Sequence, residues 1–319
     1  MSTANLPEAA GGADPRTPLA RRLLTYQAER FPLVAYLPLI ALAAFAALAF
    51  SRVGRGEAGF VSPVAYLVCA FTLLAVFFLL RVADEHKDAD TDRLHRSHLP
   101  VPRGLVDPGE LRRVAAVAAA VAIAVNLLLA PVLLVPLGAA GVWIALMTRE
   151  FFARDWLRAR PAVYLLSHML VMPLLLLYAS SIDWLREGAG SPAGIVPFLA
   201  AVFASGLVLE VGRKIHAPGE ERHGVETYSS AWGERRAALV WVAAVIGAGV
   251  LVAAAGARVG GRWTPVLAPT ASVLIALAAL PFLRGSAARK GRSVETAAAT
   301  WNLLAYALLA LPWIERWLT

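Results

Sequence analysis

The sequence predicts an all-α, polytopic membrane protein whose nine transmembrane helices surround a central cavity opening to the cytoplasm. Three observations predict it. Of 319 residues, 59% are hydrophobic and only 16% charged, where a soluble domain carries about 25% charged residues. The apolar residues gather in runs long enough to cross a hydrocarbon core of about 30 Å. The Lys and Arg residues fall mostly on one side of those runs, as the positive-inside rule requires.

Residues 1–30 are hydrophilic and carry neither an early apolar core nor a small-residue cleavage site, so they read as a cytoplasmic N-terminal tail rather than a secretory signal. Residues 1 to about 17 are expected to be disordered. Apolar runs follow at about 31–51, 60–82, 114–148, 162–182, 193–212, 237–257, 263–283 and 297–314. The third run holds 35 uncharged residues, which as one helix would measure about 52 Å, too long for a single crossing. Pro131, Pro136 and Gly138 lie at its middle, where a hairpin turn would need them. Splitting the run there yields nine spans.

The loops test that count independently. With the N-terminus inside, segments 1–30, 81–113, 149–161, 213–236 and 284–296 are cytoplasmic and hold 24 of the 30 Lys and Arg. Arg52, Arg55, Arg186, Arg258, Arg262 and Arg316 make up the other side. Keeping 114–148 as one span would move every later basic loop outside. Residues 31–319 are therefore expected to form one transmembrane domain in the cell's inner membrane, N-terminus in and C-terminus out. The net charge of +8 reflects this topology, because the bases sit in short loops between apolar runs, and nucleic acid is not an expected partner. Cys69, the one cysteine, excludes an intrachain disulfide or a cysteine-based metal site.

The second span runs out into RVADEHKDADTDRLHRSHLPVPRGL, residues 81–105. Asp84, Asp88 and Asp92 are spaced four apart, so on a continuous helix they share one face, while Glu85 and Asp90 point elsewhere. Three like charges at a helix C-terminus repel one another and oppose the macrodipole. A divalent cation removes both penalties, and carboxylates of this kind favour Mg²⁺, which also binds phosphate oxygens. Lys87, Arg93, Arg96 and Arg103 are interleaved with the acids, which suits a diphosphate ligand. The plain alternative is a solvated loop whose mixed charges do no chemistry.

The sixth span ends in LEVGRKIHAPGEERHGVETYSSAWG, residues 209–233. Glu210 lies at the inner edge of an apolar run, where an ionisable residue is a functional candidate, or else an i, i+4 partner of Lys214. Pro218 and Gly219 break the helix and leave Glu220 and Glu221 in a loop near Arg213, Lys214 and Arg222. In segment 149–161, Arg149 or Arg154 could add a ligand for phosphate, or could simply set topology. Within the membrane, Asn126, His168 and Asn302 are expected chiefly to bond between helices, and Trp143, Tyr164, Trp241, Trp301 and Tyr306 chiefly to pack.

With these residues in place, the chain resembles the UbiA superfamily of intramembrane prenyltransferases. Those enzymes have nine helices and two Asp-rich motifs, after the second and sixth. The first motif, N/D-x-x-x-D-x-x-x-D followed by Arg and P-x-P-x-G, is matched by Asp84, Asp88 and Asp92, then Arg96, then Pro100, Pro102 and Gly104. The second departs from the pattern: aligned on Gly224 and Thr227, this chain has Arg213, His216 and Glu220 where the family has carboxylates. The resemblance implies transfer of an isoprenyl group from its diphosphate to an aromatic or lipid acceptor, with Mg²⁺ held by Asp84, Asp88, Asp92, Glu220 and Glu210. It implies diphosphate contacts from Lys87, Arg96, Arg103, Arg213, Lys214 and Arg149. The isoprenyl diphosphate, a hydrophobic acceptor and membrane lipid are the implied partners.

Two other classes compete. An ion-coupled secondary transporter would usually place its ionisable groups near the bilayer midplane, whereas here they gather at one end. A non-catalytic lipid-binding relative is kept in view by the altered second motif. A CDP-alcohol phosphotransferase would need a D-x-x-D-G-x-x-A-R pattern that this chain lacks.

Overall fold

The computed structural model describes residues 17–221, 227–285 and 290–318. Among them there is no strand, and nine helical stretches are long and apolar enough to cross a membrane. The helices are α1 (Leu19–Arg30), α2 (Leu33–Gly54), α3 (Pro63–Lys87), α4 (Ala89–His95), α5 (Pro108–Leu129), α6 (Leu134–Thr148), α7 (Arg154–Arg158), α8 (Pro161–Met169), α9 (Val171–Trp184), α10 (Ile195–Gly212), α11 (Tyr228–Trp232), α12 (Glu234–Arg258), α13 (Thr264–Ala276), α14 (Leu280–Leu283) and α15 (Gly291–Leu318). Paired helices α8 and α9, and α13 and α14, each make up one span. The first span, α2, packs on α3, α9 and the last helix α15, and α10 packs on α9, α12 and α15, so the two ends of the chain close the bundle.

The expected hairpin within 114–148 is present, with a narrower cause. Ala130 is extended at φ −170°, ψ 116°, and Pro131 opens a short 3-10 turn ahead of α6. Pro136 and Gly138 lie inside α6 rather than at the turn. A proline in a first helical turn breaks no backbone bond, because the N–H it lacks would be unpaired there. Another proline acts at mid-span: Pro173 cannot donate to the carbonyl of Met169, and the helix divides there into α8 and α9.

Lipid offers helices no hydrophobic reason to associate, so close approach and buried hydrogen bonds hold the bundle. Asn126 of α5 donates to Thr72 Oγ1 of α3 at 2.8 Å and accepts from the Tyr178 hydroxyl of α9 at 2.8 Å. Asn302 of α15 donates to the Ser205 carbonyl of α10 at 3.1 Å, and Trp241 Nε1 of α12 to the Val208 carbonyl at 3.0 Å. Gly212, the last residue of α10, admits both neighbours: a Cβ there would stand 2.6 Å from Ala298 Cβ and 2.7 Å from Trp241 Nε1.

The N-terminal tail departs most from expectation. Residues 1–16 lie outside the described residues, but α1 is a packed helix. Its Tyr26 is buried with Val82, Val106, Leu111 and Ala115. Arg22 grips both oxygens of Glu110, at 2.7 and 2.8 Å, and Arg30 meets Glu85 at 2.6 Å. Glu29 is clasped by both terminal nitrogens of Arg103, at 2.7 and 2.9 Å. Thus α1 straps the segment between α3 and α5.

Candidate functional site

Helix α3 starts on a Ser62 cap and Pro63 and carries its acidic end to the face of the bundle bearing the basic loops. The helix does not continue smoothly through the acidic motif. It ends at Lys87, Asp88 caps it at φ −93°, ψ 4°, and α4 starts at Ala89. Asp84 and Asp88 remain exposed and form no ion pair among the described residues. Asp92 does not share their face. It is buried at 2% exposure, 3.3 Å from Arg96 and 4.0 Å from Arg30, the residue that also holds Glu85. The expected single face of three carboxylates fails because of this kink and because α1 supplies a cation on the Glu85 side.

At the same end, α10 delivers Glu210, Arg213 and Lys214. Glu210 bonds Arg213 at 2.7 Å and Lys214 at 2.8 Å, so its charge goes to holding two cations rather than to a metal. The nearby Glu210 charge keeps the Arg213 guanidinium above even its ordinary basic range. Arg213 and Asp84 act on each other electrostatically across the gap between α10 and α3. Lys214 lies over the Tyr228 ring, 5.6 Å from its centre. The polar ends of the second and sixth spans thus lie within electrostatic reach of each other.

Glu220 is engaged elsewhere. One of its oxygens accepts the backbone N–H of Ala217 at 2.9 Å and that of Gly291 at 2.8 Å, pinning the loop after α10 to the start of α15. Those two N–H groups hold its pKa below the ordinary glutamate value. Glu221 likewise accepts from the Thr227 and Ser229 hydroxyls. Arg222 and Gly224, the latter an anchor of the second-motif alignment, lie outside the described residues. Of the expected diphosphate ligands, Arg96 pairs with Asp92 and Arg103 with Glu29. Among the described residues, no group of three or more His, Cys, Asp or Glu could hold a metal ion by itself.

A third element, the segment after α6 already considered for Arg149 and Arg154, joins the cluster through Glu150, whose role the sequence reading did not foresee. After α6, Glu150, Phe151 and Phe152 all take left-handed backbone angles, φ 48°, 52° and 58°. For L-residues this costs roughly 1–2 kcal/mol each, and such strain gathers at sites where geometry matters. The turn buries Glu150, 4% exposed, with one carboxylate oxygen 2.8 Å from Lys87 Nζ and the other 3.2 Å from Arg154 Nε. Lys87 also donates to the Tyr164 hydroxyl at 2.6 Å. Tyr164 stacks on His168, ring centres 3.8 Å apart. His168 makes no interhelical bond. Its Nδ1 lies 2.8 Å from the Tyr164 carbonyl; a carbonyl only accepts, so Nδ1 carries the hydrogen and Nε2 bears a lone pair. That Nε2 is buried and has no partner. Glu150 shows in the sequence only as an acid amid arginines, a weak signal, and its contact with Lys87 is set by tertiary packing.

The arrangement can neutralise a multiply charged anion. Asp84 and Asp88 are hard oxygen donors without a cation of their own, which fits a Mg²⁺ that also takes phosphate oxygens and waters. Two carboxylates, rather than five, would hold it.

No protein-family profile and no curated protein matches the sequence. Solved structures do match the fold. A UbiA homologue from Aeropyrum pernix K1, in its apo form, is 17% identical, with a TM-score of 0.62 over 88% of this chain and 98% of that one. A structure of digeranylgeranylglyceryl phosphate synthase is 14% identical, with a TM-score of 0.57 over 89% of this chain and 97% of that one. The chain therefore has the UbiA fold, across nearly its whole length.

Proposed function

We propose that the chain is a Mg²⁺-dependent membrane prenyltransferase, moving an isoprenyl group from an isoprenyl diphosphate to a hydrophobic acceptor at the cytoplasmic end of the bundle. One observation carries this reading: on a UbiA fold, Asp84 of α3, with Asp88 four residues on, lies within electrostatic reach of Arg213 at the end of α10, itself set by Glu210. Exposed carboxylates near cations held in place are what a metal–diphosphate group needs.

Mg²⁺ held by Asp84 and Asp88 would supply Lewis-acid stabilisation of the diphosphate. Arg213 and Lys214 bind the charge that accumulates on the leaving group as the allylic C–O bond breaks. Glu210 orients both cations through its paired contacts. Lys87, fixed by Glu150 and Tyr164, adds positive charge near Asp84. The acceptor's nucleophilic atom forms the new bond to the allylic carbon, and His168 Nε2 is available to take its proton. An apolar groove of about 430 Å³ lined by Leu165, Leu207, Val211, Trp232 and Val240 offers a lateral path for an isoprenoid chain.

The test incubates purified protein with radiolabelled prenyl diphosphates and an acceptor panel, with and without Mg²⁺. Asp88→Ala should abolish transfer and Mg²⁺-dependent diphosphate binding, and retention of both would refute the assignment. A relative that binds the isoprenoid without turnover is the second reading, because Glu210 and Glu220 are both committed to neighbouring groups. Mg²⁺-dependent binding without any transfer would select it.

A further inference from the structure

On the other side of Lys87 from the Asp84 recess lies a larger cleft, of about 690 Å³, between α3, α5 and the turn after α6. Its walls along the two spans are apolar: Leu79, Val82 and Ala83 of α3, and Ala115 and Ala116 of α5. Its rim is cationic, with Lys87, Arg112, Arg149 and Arg154 against the single carboxylate of Glu150. Several arginines at this end of the bundle are spent on carboxylates: Arg22 on Glu110, Arg30 on Glu85, Arg96 on Asp92 and Arg103 on Glu29. Arg112 and Arg149 are exposed and form no ion pair among the described residues. His86 Nδ1 lies 2.8 Å from the Val82 carbonyl, and its buried Nε2, on a side chain lining the cleft, has no partner.

We propose that this cleft binds the phosphate headgroup of an anionic glycerophospholipid, with Arg112 and Arg149 as its principal ligands. The Asp84–Arg213 recess uses carboxylates to recruit a metal, whereas this rim presents cations directly. A rim without free carboxylates suits a singly charged phosphodiester. The apolar walls select the lipid over a soluble phosphate, because acyl chains leaving the headgroup would run along Leu79, Ala83 and Ala116 into the bilayer. The left-handed turn at 150–152 is the device that brings Arg149 and Arg154 to the rim opposite Arg112. The lipid would brace the α3–α5 pair from outside the recess.

The test reconstitutes the full chain in phosphatidylcholine membranes carrying trace spin-labelled phosphatidylglycerol or spin-labelled phosphatidylcholine, and reads the motionally restricted fraction by electron paramagnetic resonance. The wild type should hold phosphatidylglycerol in clear excess over phosphatidylcholine. R112Q/R149Q should lower that preference by at least fivefold, at about fivefold per cation removed, while R112K/R149K should keep most of it. R149Q alone, the milder change, should lose part of it. No excess in the wild type, or an excess unchanged in both glutamine variants, overturns the proposal. Millimolar inorganic phosphate, at ionic strength matched with chloride, should leave the excess in place; displacement would make the cleft a soluble-anion site and also overturn it. D88A separates this inference from the prenyltransferase reading: it should abolish diphosphate binding and leave the lipid preference intact, and loss of both would show the cleft to be part of the same site.

Discussion

The two ends of the bundle handle charge in opposite ways. At the end away from the basic loops, Asp183 is fully buried and accepts from Ser51 Oγ at 2.7 Å, with Arg52 at 3.2 Å and Arg55 at 3.0 Å. Glu187 completes the set on Arg55 at 2.9 Å, and that contact holds its pKa below the ordinary value. The cluster ties α2 to α9 and leaves no carboxylate of its own unpaired. At the other end, among the described residues, Asp84 and Asp88 have no ion-pair partner, Arg112 and Arg149 have none, and His86 and His168 each keep a buried nitrogen unsatisfied. Buried or crowded charge is costly unless matched. The chain thus pairs its buried carboxylate at one end and, among the described residues, leaves exposed carboxylates and arginines without ion pairs at the other.

The largest expected effect comes from breaking the matched end. Asp183→Ala leaves two nearly buried arginines without their shared partner and should cost about 3–5 kcal/mol, read as a lower midpoint of unfolding in detergent, with Mg²⁺-dependent diphosphate binding intact in the molecules that remain folded. Next is the unmatched end. Asp88→Ala should cut prenyl transfer on the order of 10²–10³-fold, with no fall in the unfolding midpoint, since that carboxylate bonds nothing in the fold. A midpoint that fell with activity would dissolve the contrast.

Smaller effects sharpen it. Phe152 is 77% exposed with φ 58°, so Phe152→Gly should relieve strain at little packing cost and raise stability by up to about 1 kcal/mol. Glu220 contributes least. Its folded pKa is depressed below 4.5 by the Ala217 and Gly291 N–H groups. Its contribution is therefore present above pH 4.5 and lost as the pH falls through the lower folded value. The protection of the Gly291 amide, its exchange rate taken relative to the intrinsic rate at each pH, should fall as acid is added below that point, and Glu220→Gln should remove the dependence.

The fold was largely legible, for a physical reason. Span count follows from run length and loop charge, and both are local properties. Even the hairpin in 114–148 was found, although Pro131 alone makes it. The site was legible only where one element carried it. Asp84 and Asp88 follow from spacing, and the Glu210–Lys214 pair from helical periodicity. Asp92 was misjudged because a kink at Asp88 and an arginine 62 positions earlier redirect it. Glu150 meets Lys87 through a strained turn that no propensity foretells. The strap α1 was read as tail because its apolar stripe is short and its partners, Glu85, Arg103 and Glu110, are distant in sequence.

That strap bears on how the protein should be handled. A chain trimmed to begin at Phe31 keeps the nine described membrane-length helices yet gives up the three clasps on Glu85, Arg103 and Glu110. Freed of Glu29, Arg103 would drift, and Glu85, at 4% exposure, would be stranded beside Val82. Shortened versions chosen for crystallisation would then measure a slacker α3–α5 segment than the longer chain has, and a bulky tag fused close to Leu19 would do the same.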